Sequence, residues 1–364
     1  MKAPARFWDF NKDISGCGVF GVLHKKRGLI DGDMPIKAMC TMHDRGNGQG
    51  GGFAAYGIYP DFKDCYAFHL LCETQEGLDN AEAVIKTYFD IKESQPIPTR
   101  RTLAIKNPPI VWRFFLTPKE DRPRWKDASE ADYIVSVVML INKDVKDAFV
   151  LSSGKDMGAF KGVGFPEDIA DFFRLDEYKG YIWTGHNRFP TNSQAWWGGA
   201  HPFTLLDWAI VHNGEISSYG INRRYLAQHD YLCTLHTDTE VVAYLLDMLT
   251  RKHKLSLRMA SYIFAPPFWD EIDRMPPAQQ EAFRALRMVY GPAMLNGPFA
   301  ILVTNNTTMM GLNDRVKLRP LLVAEKDDMV FMSSEESSIR EVQRDLDRIW
   351  APKAGEPVIA EVEA

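Results

Sequence analysis

The stretch Ser15-Gly16-Cys17-Gly18-Val19-Phe20-Gly21-Val22-Leu23-His24 decides how this chain is read. GVFGVLH has the apolar, glycine-flanked pattern of a buried strand, and Cys17 stands at its entrance. A thiol at that point is either a small residue packed between glycines or a reactive group. The reactive reading requires cleavage of the Gly16–Cys17 peptide, which turns the nitrogen of Cys17 into a free amine. A free α-amine has a pKa of about 8, so it takes the thiol proton near neutral pH without a histidine base. Alone, the motif does not choose between the two.

The whole chain narrows the classes. Its 364 residues suffice for one large domain or two small ones. With 45% hydrophobic and 25% charged residues, the composition is that of a soluble globular enzyme. A net charge of −5 gives no reason to expect nucleic acid or an anionic membrane as partner. No apolar run reaches the roughly 18 residues of a membrane-spanning helix. MKAPARFWDFNKDISG, with Asp9 and Asp13 inside it, lacks the apolar core of a secretory signal. Cysteines 17, 40, 65, 72 and 233 are scattered without a CxxC pair, which speaks against structural zinc or an iron–sulfur cluster and for a reducing, cytoplasmic compartment. The histidines show no tight ligand spacing, so no metal is expected.

Outward from Cys17, DRGNGQGGG (residues 44–52) carries too much glycine for a helix or strand and reads as a loop. GFAAYGIY, DYIVSVVMLI (residues 132–141), GYIWTG (180–185), WAIVH (208–212), PFAILVT, PLLVAE and MVFMSS read as strands. Residues 78–89, 237–249 and PAQQEAFRALRMVY read as helices, the second opened by a Thr237-x-x-Glu240 capping box. No regular alternation of strand and helix runs through this order, so the fold class is α+β with packed sheets.

Polar residues then gather at the strand ends. GHNRFPTN places Arg188 where one strand runs out, and HNGEI places Asn213 and Gly214 where another does. An Asn–Gly pair is a common hairpin turn. It can also supply a side-chain amide and a main-chain N–H to a developing oxyanion. Arg188 offers a planar fork for a carboxylate, and Asp238, in a helix's first turn, an ionised acceptor for an ammonium. A surface ion pair and a simple helix-start preference are the plainer readings of these two. Taken together the groups match free glutamine, with its α-carboxylate, α-ammonium and side-chain amide. The paired tryptophans of AWWGGAHPF read as core packing or as a seal over the site.

CGVFG, HNRFPTNSQAWWGGAHPF, VHNGEISSYG and TDTEV resemble the successive motifs of class II glutamine amidotransferases, which are N-terminal-nucleophile hydrolases. GLNDRVKLRPL and SSEESSI resemble the later part of that domain, and DRGNGQGGG its early Arg-Gly loop, with Asp44 where the family often has histidine. The long stretch before Arg188, and APPFWDEIDRM, look most like the free-standing amidotransferase subunit of archaeal-type glutamate synthase. The resemblance implies a four-layer αββα sandwich. It implies residues 1–16 as a propeptide, 17–345 as the amidotransferase domain and 346–364 as a tail. It also implies Cys17 as nucleophile, Asn213 and Gly214 as oxyanion hole, and Arg188 and Asp238 as the glutamine clamp. Thr191 would add a contact to the carboxylate, and Arg45 would support the nucleophile.

No G-x-x-x-x-G-K-[ST] loop, Rossmann fingerprint or SGGxDS-like loop is present, so no cofactor is expected in this chain. The resemblance places ammonia use in a separate synthase subunit carrying FMN and iron–sulfur centres, hence a hetero-oligomer making glutamate from 2-oxoglutarate. Other readings stay open: another aminating partner such as N-methylglutamate synthase, a related acylase lacking the Arg188–Asp238 clamp, or a non-catalytic regulatory subunit with an uncleaved N-terminus.

Overall fold

Along the strand Gly18–His24, side chains alternate between two cores. Val19 and Leu23 enter one, Phe20 and Val22 the other, as the two-residue period of a strand requires. Covered on both faces, this strand lies in the middle of a sheet. The computed structural model, which describes residues 16–122, 124–190 and 195–363, places it in a seven-stranded sheet. The order is Arg348–Trp350, Leu322–Lys326, Met329–Ser333, Gly18–His24, Ile182–Asn187, Gly51–Tyr56 and Met157–Gly162. Its pairings are antiparallel.

A five-stranded antiparallel sheet, ordered Phe203–Leu205, Trp208–Gly214, Phe299–Thr304, Thr308–Asn313 and Val358–Glu361, lies against it. Val19, Leu23 and Ile182 meet Val211, Leu302 and Met309 between the two sheets. Burying each such side chain contributes about 1.5–3 kcal/mol. The outer face of the large sheet, with Phe20, Phe53 and Trp183, packs on the helices Asp33–Cys40, Pro166–Phe172 and Glu336–Val342 through Met39, Ile169 and Ile339. The outer face of the smaller sheet, with Ile210, Ile301 and Leu312, packs on the helix Asp238–Asp247 through Val242 and Leu245. The layers are therefore helix, sheet, sheet, helix, an α+β sandwich. A four-stranded sheet, Phe89–Pro96, Ile110–Pro118, Tyr66–Cys72 and Ala148–Ser152, extends the side of the molecule.

Four readings change. DYIVSVVMLI is not a strand but part of the helix Glu130–Asp144. Its buried residues Tyr133, Ile134, Val137, Val138 and Ile141 recur with the helical period, and the Ser129 hydroxyl accepts the Asp132 N–H at 3.1 Å to start it. The glycine-rich loop ends early, since Gly51 and Gly52 already pair in the strand Gly51–Tyr56. A side chain at Gly52 would press to 2.3 Å from the His201 carbonyl, so glycine there admits close backbone approach. Residues 346–364, expected as a tail, contribute the edge strands Arg348–Trp350 and Val358–Glu361. The capping box forms by half: Thr237 accepts the Glu240 N–H at 3.2 Å, but the Glu240 carboxylate turns to the main-chain N–H groups of Thr234 and Leu235.

Candidate active site

The register of the large sheet pairs Gly18 with Asn187, which brings the chain before one strand beside the chain after the other. Cys17 and Arg188 thus meet at one end of the sheet. In the smaller sheet Gly214 pairs with Phe299, ending the neighbouring strand at the same place. The N-terminus of the helix Asp238–Asp247 closes the ring. Between them is a cavity of about 150 Å³, whose walls include Cys17, Arg188, Gly214, Tyr219, Thr237 and Asp238. That volume suits a small molecule.

Cys17 is 9% exposed. Its sulfur accepts the Phe189 N–H at 3.4 Å and faces the Phe189 carbonyl at 3.8 Å. Burial pushes its thiol pKa up, while the Phe189 and Gly214 N–H groups and Arg319 oppose that. Gly214 has φ +137°, and a Cβ there would lie 1.9 Å from the Pro298 carbonyl, so only glycine fits. The Asn213 side chain is fully buried beneath the cavity rather than in its wall, and its amide donates to the Ser334 hydroxyl at 3.2 Å. Ser334 also accepts the Val19 N–H at 3.1 Å, tying both sheets together under Cys17.

Arg45 does not line the cavity. It donates to the Cys17 carbonyl at 2.9 Å and pairs with Glu335 at 2.7 Å, which fixes the main chain of Cys17. Arg188 is 4% exposed, so its guanidinium is held at the cavity wall. Burial works against its charge, which Cys17 and Asp238 support. For Asp238, burial opposes ionisation, but His212, the Ile216 N–H at 2.9 Å and Thr239 outweigh it and hold the carboxyl below its usual range. Thr191 lies outside the described residues.

Several contributors escaped the sequence. Nitrogens of His201 and His212 lie 2.8 and 3.1 Å from the Thr239 hydroxyl, which donates to Asp238. His186 stacks on His201 at 3.9 Å and donates to the His212 carbonyl at 2.9 Å. Burial pushes His186 down to about 3, and His201 well below its ordinary value. His186 and His201 are thus neutral hydrogen-bonding groups that help orient the Asp238 wall. Lys161, 1% exposed, donates to the Gly198 carbonyl at 3.0 Å and lies over the Phe203 ring. Burial lowers it to about 7 and raises the facing Glu240 to about 7. One holds the loop after residue 194, the other the loop before Thr237, and both loops wall the cavity. Trp196 and Trp197 pack on Phe149 and on Phe172 and Phe173. Among the described residues no metal-holding cluster occurs, and no helix is long and apolar enough to cross a membrane.

A family model, glutamine amidotransferases class-II, matches residues 99–347. The chain belongs to the class II glutamine amidotransferases. That match contains Arg188, Asn213, Gly214 and Asp238, and Cys17 precedes it. An uncharacterised protein of Archaeoglobus fulgidus is 51% identical over 97% of this chain and 94% of its own length. A candidate glutamine amidotransferase of Methanothermobacter thermautotrophicus is 25% identical over 95% of this chain and all of its own. The solved glutamine phosphoribosylpyrophosphate amidotransferase of B. subtilis aligns with a TM-score of 0.47 and 17% identity, covering 95% of this chain and 47% of that one. This chain thus spans about half the length of that enzyme.

Proposed function

We propose that this chain hydrolyses L-glutamine to L-glutamate and ammonia through a γ-glutamyl thioester on Cys17. The observation that carries the reading is the gathering of Cys17, Arg188, Gly214 and Asp238 around one small cavity. Arg188 takes the α-carboxylate and Asp238 the α-ammonium, with Thr191 as a further carboxylate contact. This aims the side-chain amide at the sulfur. Removal of residues 1–16 gives Cys17 a free amine, which draws the proton from a thiol whose burial resists ionisation.

The thiolate attacks Cδ, and the carbonyl electron pair moves onto oxygen. The Gly214 N–H receives that oxyanion, and Asn213 adds a second donor once its buried amide turns from Ser334 toward the cavity. The intermediate collapses, expelling ammonia protonated by the Cys17 amine. Water then attacks the thioester, returns a proton to the sulfur and releases glutamate. Cys17→Ala is expected to abolish glutamate release and to spare ammonia-dependent activity of a partner. Normal glutamine turnover by that variant would refute the assignment.

The ammonia passes, on this reading, to a separate synthase subunit with FMN and iron–sulfur centres that aminates 2-oxoglutarate. Support comes from the likeness of APPFWDEIDRM and of the long stretch before Arg188 to glutamate synthase amidotransferase domains. Purification with the native partner tests it. Glutamine-dependent consumption of 2-oxoglutarate is expected, and amination of a different acceptor would assign another synthase.

A further inference from the structure

A second cavity, sharing no wall residue with the first, opens between the turn after Gly51–Tyr56 and the strand Ile110–Pro118. Its volume is about 570 Å³, within the range of small-molecule sites. Half-buried Arg113 stands in its wall, with its guanidinium 5.1 Å from the centre of the Tyr59 ring and 5.3 Å from that of Phe115. Its Nε is buried without a hydrogen-bond partner. The groups that face it are the Tyr59 and Tyr178 phenols, and no carboxylate among the described residues forms an ion pair with it.

The other cations of the wall are neutralised: Arg174 pairs with Glu177 at 2.7 Å and Lys179 with Asp31 at 2.9 Å. Buried charge is ordinarily paired, so an arginine held here without a counter-ion needs a reason. The surroundings are built to fix it. Tyr59 donates to His69 Nε2 at 2.8 Å, and His69 Nδ1 donates to the Ala159 carbonyl at 3.1 Å. That chain locks the Tyr59 ring under the guanidinium and leaves the phenol oxygen as an acceptor toward it. Beside it, the Phe62 ring stacks on Phe115 at 4.0 Å, and Phe62 and Tyr178 are both half-buried at the cavity.

We propose that this cavity binds a small organic oxyanion, carboxylate or phosphate on a flat ring, with Arg113 as its counter-ion and Phe62 and Tyr178 against the ring. A guanidinium presents parallel N–H donors that match either oxyanion, and aromatic walls favour a planar body. The site is separate from glutamine hydrolysis and does not depend on that assignment.

Calorimetric titration of the full chain with phenyl phosphate, inorganic phosphate and phenol tests it. Phenyl phosphate is expected to bind saturably, phosphate more weakly and phenol not at all. Arg113→Gln should weaken phenyl phosphate by about tenfold or more and leave glutamate release unchanged. Absence of saturable binding at millimolar phenyl phosphate, or equal binding by the variant, would overturn the site. Equal affinity for phosphate alone would overturn the ring. Should Arg113→Gln not fold, a wild-type crystal soaked in phenyl phosphate decides. A phosphate within hydrogen-bond reach of Arg113 supports the proposal, and an anion bound only elsewhere refutes it.

Discussion

Gly214 and Asp238 show how narrowly single residues are constrained at the cavity. Gly214→Ala would place a methyl 1.9 Å from the Pro298 carbonyl at a φ of +137°. It is expected to cost about 1–3 kcal/mol or more and to lower glutamate release, both read by urea denaturation and a glutaminase assay. An unchanged denaturation midpoint would show that the turn relaxes freely. Asp238→Asn keeps the shape but removes the charge held ionised by its neighbours. The Michaelis constant for glutamine should rise about 10- to 100-fold while the fold persists, as far-UV circular dichroism would report. An unaltered Michaelis constant would remove Asp238 from substrate binding.

At the scale of elements, the helix Asp238–Asp247 and the loops around it carry the clamp. Thr237→Ala removes the hydroxyl that accepts the Glu240 N–H and should destabilise the protein by about 1 kcal/mol. Lys161→Met frees the loop at Gly198. The Michaelis constant should therefore rise more than turnover falls, and a pure loss of turnover would contradict its positioning role. Buried histidines make the fold acid-sensitive. His69 and His186 are pushed down to about 3, and His201 also far down, from an unfolded value near 6.5. The unfolded chain then binds more protons between about pH 6.5 and 3. Stability is full above that window and falls as pH drops through it, by at most about 1.4 kcal/mol per unit for each histidine. Glu240, raised to about 7, acts in the opposite sense over part of the range. The urea midpoint should be lower at pH 5 than at pH 7, and equality would show that those histidines are not buried neutral.

For the whole molecule, α+β with packed sheets was legible in the order of strands and helices, whereas the four-layer sandwich came only from the family resemblance. Arg188 and Gly214 showed as polar strand ends after apolar runs, Cys17 as a thiol at a strand entrance and Asp238 as the first turn of a capped helix. DYIVSVVMLI misled because β-branched residues mask a helical period that Ser129 announces only by its capping bond. The edge strands Arg348–Trp350 and Val358–Glu361 are too short and mixed to signal themselves, since edge pairing depends on a partner strand far along the chain. Lys161, Ser334 and the histidine layer were invisible for the same reason: their partners Gly198, Asn213 and Thr239 are joined only by folding. The proposed activity rests on a glutamine-shaped site around a terminal thiol. Intact-protein mass spectrometry, after incubation with an electrophilic glutamine analogue, tests it most directly. The expected result is a chain beginning at Cys17 that carries a single covalent adduct of the analogue on that residue. A chain that keeps residues 1–16 and takes no adduct would contradict it.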